Sequence, residues 1–316
     1  MAEHERPVLR VGISACLLGE RVRWDGGHKR DAFLADVLGP RVEWVAVCPE
    51  VELGLGVPRP PIRLERARGG VRLRVVKGGD DLTERMRAHA AWRAQTLGPL
   101  ALDGYVLKSR SPSCGLARVP VHDADGGSTE TGRGLFAEAL AAAFPWMPME
   151  DEARLARPAV REHFLARLYA AARWRAFTRG RARAGELQAF HAAHKYAILA
   201  HSPAHYTALG RLVASAGKRP VARVVREYGE HFMAALAIPA SRGRHANVLE
   251  HAAGFFKRAL PEPEREALAG VIGRYRRGRA PLAAPVTLIR AHAERLGVAY
   301  LDGQVYLRPP AHDLLS

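Results

Sequence analysis

The sequence predicts an α/β fold: a Rossmann-like domain on a largely parallel sheet, followed by an all-α helical domain. Three observations carry this reading. Through the first half, short apolar runs alternate with helix-like segments, the pattern of strands joined by crossover helices. Three of those runs lead into a cysteine set among Gly, Pro or Ser: Cys16 in VGISACLLG, Cys48 in WVAVCPEVELGLGVPRP and Cys114 in YVLKSRSPSCGL. That is the end of the strand at which open α/β sheets carry their ligand sites. In the second half Ala, Leu, Arg and His dominate, and apolar residues recur at helical spacing, as at Leu187, Phe190, His194 and Ile198, which argues for helices.

Taken in order, LRVGISA at 9–15 reads as the first buried strand and 30–38 as a helix. VEWVAV at 42–47 is the second strand. Pro58, Pro60 and Pro61 make 57–63 an extended loop, because proline lacks a ladder donor and restricts its predecessor. A strand follows at 71–76, a helix at 80–97, a strand at 102–107 and a helix at 132–143. At 145–158, Pro145, Pro148 and Pro158 combine with Glu150, Asp151 and Glu152. This stretch reads as a linker or a helix start, and the expected domains are 1–148 and 149–316. GRARAG at 180–185 reads as a loop with a basic tip, and AYLDGQVYLRPP as a short extended tail.

With 48% hydrophobic and 25% charged residues, the composition is that of a globular protein rather than a disordered one. The N-terminus lacks a secretory apolar segment and no apolar run reaches membrane-spanning length, so the expectation is a cytoplasmic protein with no membrane partner. There, three widely spaced cysteines are poor disulfide candidates, which leaves free thiols or metal ligands. Residues 1 to 150 carry a net charge of +2 and residues 151 to 316 a net charge of +14. Such asymmetry suggests a polyanionic partner, most simply nucleic acid. An Arg-rich, Ala-rich composition also places surplus cations on solvated faces.

The spacings between the cysteines match neither a local zinc motif nor a ferredoxin run, whose ligands lie close together. A cluster with three thiolates and one open iron fits them. Isolated cysteines in an intracellular protein are otherwise buried small hydrophobes. Ser109, Ser111 and Ser113 ahead of Cys114, with Lys108 beside them, form a polar loop that a packing cysteine does not require. Glu50, two residues past Cys48, stands where a general acid or base would; a solvated carboxylate is the plainer use of such a residue. Trp24, Asp25 and Gly26 could close a pocket or form a turn.

SACLLGERVRWDGG, CPEVELGLGVPRP and LKSRSPSCG resemble the three signatures of the thiouracil desulfidase family. The resemblance covers most of residues 8 to 145. It implies a four-iron four-sulfur cluster held by Cys16, Cys48 and Cys114, with Glu50 and Ser111 as the catalytic pair and sulfur removed from thiolated uracil without net redox change. Lys108 would then stabilise developing charge, and Ser14, Asp25, Ser109 and Ser113 would meet the substrate. FHAAHKYAILAHSPAHY and GRHANVLEHAAGFFK resemble the helical domain often fused to this one. The combination looks like the bacterial desulfidases that act on 4-thiouridine in transfer RNA.

The basic half would then hold the tRNA through some of Arg179, Arg181, Arg183, His194, Lys195, Lys218, Arg219, Arg242, Arg244, Arg274, Arg276 and Arg277, offsetting the cost of unstacking a base. His191, His194, His201 and His205 share helical spacing, but packing or phosphate contact suits them better than a metal. Tyr196, Tyr206, Phe255, Phe256 and Tyr275 could stack on bases or fill a core. Two other functions fit the same residues: a desulfidase of free thiouracil or a thiolated nucleotide, and an iron–sulfur redox sensor that binds nucleic acid. No helix-turn-helix pattern supports the sensor. Oligomeric state is not legible.

Overall fold

In the computed structural model, residues 8–123, 125–180 and 182–309 are described. The chain forms two compact units, Met1–Arg175 and Ala176–Ser316.

The first unit is built on four parallel strands in the order β2-β1-β5-β8: β1 (Leu9–Ser14), β2 (Val42–Val47), β5 (Gly104–Leu107) and β8 (Met149–Asp151). Between β2 and β5 come α1 (Pro49–Glu52), β3 (Ile62–Ala67), β4 (Gly70–Val75) and α2 (Thr83–Leu97). After β5 come β6 (Val119–His122), β7 (Ser128–Gly132) and α3 (Leu135–Ala143); α4 (Glu152–Leu155) and α5 (Pro158–Thr178) follow β8. β1 and β5 are buried almost throughout, as strands covered on both faces must be. Alternation along β5 shows what covers them. Tyr105 packs with Ala90, Ala94 and Leu97 of α2 and Phe136, Ala137 and Leu140 of α3. Its neighbour Gly104 has Leu168 of α5 where a Cβ would stand, 2.2 Å away.

A second sheet, ordered β4-β3-β6-β7, pairs β3 with β4 and β6 with β7 antiparallel and joins them through a parallel β3–β6 contact. It corrects two expectations. The run expected at 71–76 forms β4 but lies in this sheet, not the parallel one. The extended loop expected over 57–63 ends at Ile62, where β3 begins, since the last proline of the run is Pro61 and a ladder can start beyond it. The segment expected as a helix over 30–38 is a π-helix at Phe33–Leu38.

The division expected after residue 148 is not where the compact units part. Met149–Asp151 completes the parallel sheet beside β5, and Asp151 then caps α4 by accepting from the Arg154 amide at 2.8 Å. The proline-rich stretch thus contains the sheet's last strand.

The second unit is helical: α6 (Ala184–His201), α7 (Pro203–Ser215), α8 (Val221–Ala237), α9 (Arg242–Ala253), α10 (Glu262–Arg276), α11 (Ala283–Leu296) and α12 (Ala299–Asp302). Leu249, Phe256, Ile272, Ile289 and Leu307 are among the residues of its core. The extended tail expected over 299–310 is instead α12 and a 3-10 turn at Val305–Leu307, because Leu301, Tyr306 and Leu307 turn inward to that core. Among the described residues no helix is long and apolar enough to cross a membrane.

Two histidines, His191 buried and His245 half-buried, set an acid limit on this unit. His191 bonds the Tyr228 hydroxyl at 3.0 Å and His245 that of Tyr306 at 2.8 Å, and burial pulls each from 6.5 to about 4. The unfolded chain therefore binds more protons between those values, so stability is full above pH 6.5 and falls as pH drops toward 4. Thermal unfolding followed across that window should show the decline, and His191→Gln with His245→Gln should flatten it; an equal decline in the variants would refute the assignment.

Candidate functional site

Each of the three cysteines follows a strand of the parallel sheet, and each is fixed by a different local device. Cys16 lies in a 3-10 turn, Ala15–Leu18, directly after β1; Gly19 closes the turn at φ +100°, a conformation that favours glycine. The Lys29 amide donates to the Cys16 carbonyl at 2.9 Å, which folds residues 19–29 back over the turn. Cys48 is the N-cap of α1, with Pro49 in the first turn, the position where proline's missing N–H costs nothing. Its thiol donates to the Val22 carbonyl at 3.7 Å.

Cys114 sits in the loop after β5. The Ser111 hydroxyl accepts from the Ser113 and Cys114 amides at 3.2 and 3.0 Å, and the Gly115 amide returns to the Ser111 carbonyl at 2.8 Å. The start of α3 then clasps the loop: the Gly134 amide donates to Gly115, Leu135 to Pro112 and Phe136 to Ser113. A Cβ on Gly134 would lie 2.3 Å from the Ser113 carbonyl oxygen and 2.8 Å from the Cys114 nitrogen. Gly134→Ala should therefore destabilise the first unit by about 2 kcal/mol or more, measured by denaturant unfolding. A wild-type midpoint would mean the loop moves freely.

The three thiols line one cavity of about 330 Å³, walled also by Ser14, Trp24, Glu50, Arg59, Lys108, Ser109 and Ser111. No disulfide joins them. Burial pushes the Cys16 thiol up to about 11, with Cys48 adding to the rise. Burial likewise raises Cys48 and lifts Cys114 well above the ordinary thiol range, the latter with further contributions from Glu50, Cys48 and Cys16. The groups are thus electrostatically coupled, and each stays protonated unless a positive centre compensates its charge. Among the described residues no three His, Cys, Asp or Glu side chains form a group that could hold a single metal ion.

Beside the thiols stands a salt bridge that the sequence reading did not include. Arg59, its side chain 3% exposed, gives Nε and Nη2 to Glu50 Oε2 at 3.0 and 2.6 Å and Nη1 to the Val22 and Gly56 carbonyls. Glu50, its side chain 13% exposed, accepts from the Ser113 hydroxyl with its other oxygen at 3.0 Å. The serine that bonds Glu50 is thus Ser113; Ser111 shapes the loop. Lys108 is paired too, with Glu152 and the Ser109 carbonyl and hydroxyl. Glu152 also accepts from the Ser109 amide at 2.8 Å, and the Ser14 hydroxyl accepts from the Lys108 amide at 3.0 Å.

Of the predicted residues, Ser14, Cys16, Cys48, Glu50, Lys108, Ser109, Ser111 and Cys114 all border the cavity. Asp25 does not: it caps the Gly27 amide at 3.0 Å in a surface turn. Arg59 was hidden in a proline run that read as plain loop, although it belongs to the quoted segment CPEVELGLGVPRP. Glu152 was hidden in an acidic cluster that read as a linker.

In the second unit, Arg179, Arg183, Lys218, Arg274 and Arg277 are exposed and Lys195 is half-buried; Arg181 lies outside the described residues. His194 is not available to a partner. It is buried, stacked on Phe190 at 4.0 Å and bonded to the Phe190 carbonyl, because the helical repeat that suggested a surface contact points it into the core. Arg219 pairs with Glu227 and Arg276 with Glu250. Arg242 and Arg244 reach the Tyr275 and His201 carbonyls. His191, His194, His201 and His205 bond separately to Tyr228, Phe190, Ile238 and Ser202.

A parallel α/β unit with three thiols and a paired carboxylate at one cavity defines a class, and residues 11–152 match the family model described as 2-thiouracil desulfurase. Residues 195–310 match one described as a protein of unknown function, DUF1722. Among curated relatives, the uncharacterized protein YbgA of Escherichia coli is 35% identical over 123 residues, covering 39% of this chain and 73% of that protein. The uncharacterized protein YbbK of Bacillus subtilis is 29% identical over 108 residues, 33% of this chain and 71% of that protein. A solved structure, the [4Fe-4S]-dependent thiouracil desulfidase TudS, is 28% identical and covers 48% of this chain and 97% of its own, with a TM-score of 0.39. The chain belongs to the family of YbgA.

Proposed function

We propose that the protein is a cytoplasmic, iron–sulfur-dependent desulfidase that converts 4-thiouridine in transfer RNA to uridine without net redox change. The single observation that carries this reading is the meeting of three thiols from three separate strand ends at one cavity beside Glu50. The donor set fits a four-iron four-sulfur cluster on Cys16, Cys48 and Cys114. Thiolates suit iron–sulfur clusters, and such a group would take each of the three on a different iron. When bound, such a cluster supplies one open iron, a soft Lewis acid with affinity for thiocarbonyl sulfur.

The chain's own residues do the rest. Glu50, held by Arg59, accepts a proton from the water that attacks the ring carbon and returns one to the departing sulfur. The water's oxygen remains on the carbon as the carbonyl, its second proton passes to solvent, and the sulfur leaves as hydrosulfide. Ser111 donates to the bound ring, and Lys108, oriented by Glu152, offsets developing negative charge.

The tRNA assignment rests on the net charge of +14 over residues 151 to 316 and on the exposed Arg179, Arg183, Lys218 and Arg277. A second reading, action on free thiouracil or a thiolated nucleotide, is favoured by a different fact: every residue lining the cavity belongs to the first unit.

The test is hydrosulfide release, assayed anaerobically after reconstitution, from thiolated tRNA and from free 4-thiouracil. Glu50→Gln should lower turnover by about 10²–10⁴-fold while the cluster's visible absorbance stays. Unchanged turnover would remove Glu50 from the mechanism. Preference for the free base would select the second reading, and release from neither substrate would refute both.

A further inference from the structure

On the second unit two aromatic rings stand face to face in water. Phe255, in the 3-10 turn Gly254–Phe256 after α9, and Tyr300, in α12, are stacked with centroids 5.2 Å apart and planes 10° from parallel. They are 46% and 38% exposed, whereas Tyr228, Phe232 and Phe256 of the same unit are fully buried. Tyr196 meets Tyr300 edge-on at 6.1 Å. The hydroxyls of Tyr196 and Tyr300 are raised first by burial and then by neighbouring phenols, Tyr206 among them. The feature is an aromatic ledge backed by phenol hydroxyls.

Its surroundings say what it suits. Lys257 and Arg258 follow Phe255 and Phe256 directly, both exposed, and neither is in an ion pair among the described residues. Residues 176 to 316 carry 21 Lys+Arg against 10 Asp+Glu. Stacked rings that offer an outer face, beside unneutralised cations, match a ligand that is planar and polyanionic at once. An apolar protein segment would cover the rings and leave the cations unmet.

We propose that the Phe255–Tyr300 ledge is a base-stacking site for an unpaired nucleobase in a single-stranded segment of RNA, with Lys257 and Arg258 meeting the adjoining phosphates. The proposal rests on the RNA-binding reading of the helical unit and names where that contact is made.

It is tested with the full-length protein and a short fluorescein-labelled oligouridylate, by anisotropy over a range of salt concentrations. Phe255→Ala and Phe255→Leu should each weaken binding about tenfold and leave the salt slope unchanged, and Phe255→Trp should restore it. Lys257→Ala should instead lower the slope by about one. Leucine is included because it keeps apolar bulk without a π face: wild-type binding by Phe255→Leu would mark an apolar contact and overturn the stacking site. Wild-type binding by Phe255→Ala, with the unfolding temperature unchanged, would overturn it as well. If the unsubstituted protein binds no oligouridylate and yet releases hydrosulfide from free 4-thiouracil, the RNA reading falls together with the ledge, and the desulfidase reading stands.

Discussion

Arg59→Met is expected to lower the stability of the first unit by about 3–5 kcal/mol, a fall of roughly 10 °C in its unfolding temperature. Methionine keeps the apolar bulk but leaves Glu50, its side chain 13% exposed, as a carboxylate without its cation. It also removes the Nη1 donor that the Val22 and Gly56 carbonyls share, leaving Val22 only the weak Cys48 thiol. The reverse change should be milder. In Glu50→Gln the arginine keeps both carbonyls and an amide oxygen, so its charge still has acceptors. The double variant Arg59→Met with Glu50→Gln should recover part of the loss, because the uncompensated carboxylate is gone. A loss below about 1 kcal/mol for Arg59→Met would mean the pair behaves as a solvated surface bridge. Loading of the proposed cluster should fall with stability, since Val22, Glu50 and Gly56 all bond to this one side chain.

Cys114→Ala is expected to have the opposite profile: a modest change in stability and loss of the proposed iron–sulfur centre. The thiol lies in the core with Tyr105, Phe136 and Leu140, where cysteine packs as a small hydrophobe, so removing one sulfur should cost no more than about 1–2 kcal/mol. After anaerobic reconstitution the variant should lack the visible absorbance and most of the iron of the unsubstituted protein. Cys16→Ala and Cys48→Ala should behave alike. Full absorbance and iron in Cys114→Ala would show that the centre is held in some other way.

β1, β2 and β5 were readable because they are short apolar runs, and α2 and α3 because their apolar positions recur at helical spacing. β7 was not: Ser128–Gly132 is polar and exposed along nearly its whole length, so it has no buried face to print a period of two. β8 was masked by its brevity and by the prolines around it. β4 was visible as a strand, but its partner was not, since an apolar run reports burial and not the neighbour that provides it.

The site divides along the same line. The thiols, Glu50 and the serines sit in local motifs that a linear reading can weigh. The partners that set their state, Arg59 for Glu50 and Glu152 for Lys108, are brought in by the fold. His194 shows the converse: helical spacing marks a shared face but does not say whether that face looks inward or outward.

The Ser111 hydroxyl accepts two backbone amides, at 3.0 and 3.2 Å. A hydroxyl oxygen has two lone pairs, so both are engaged and only the hydrogen is left to pair with a further group. Ser111 can therefore give a hydrogen bond and not take one. A pyrimidine edge that offers a carbonyl or thiocarbonyl meets a donor there; an edge that offers an amino group, as cytosine does, meets two hydrogens pointing at each other. If the ring meets Ser111 as proposed, two amides of a tight turn would make this one serine a sieve that separates keto from amino rings.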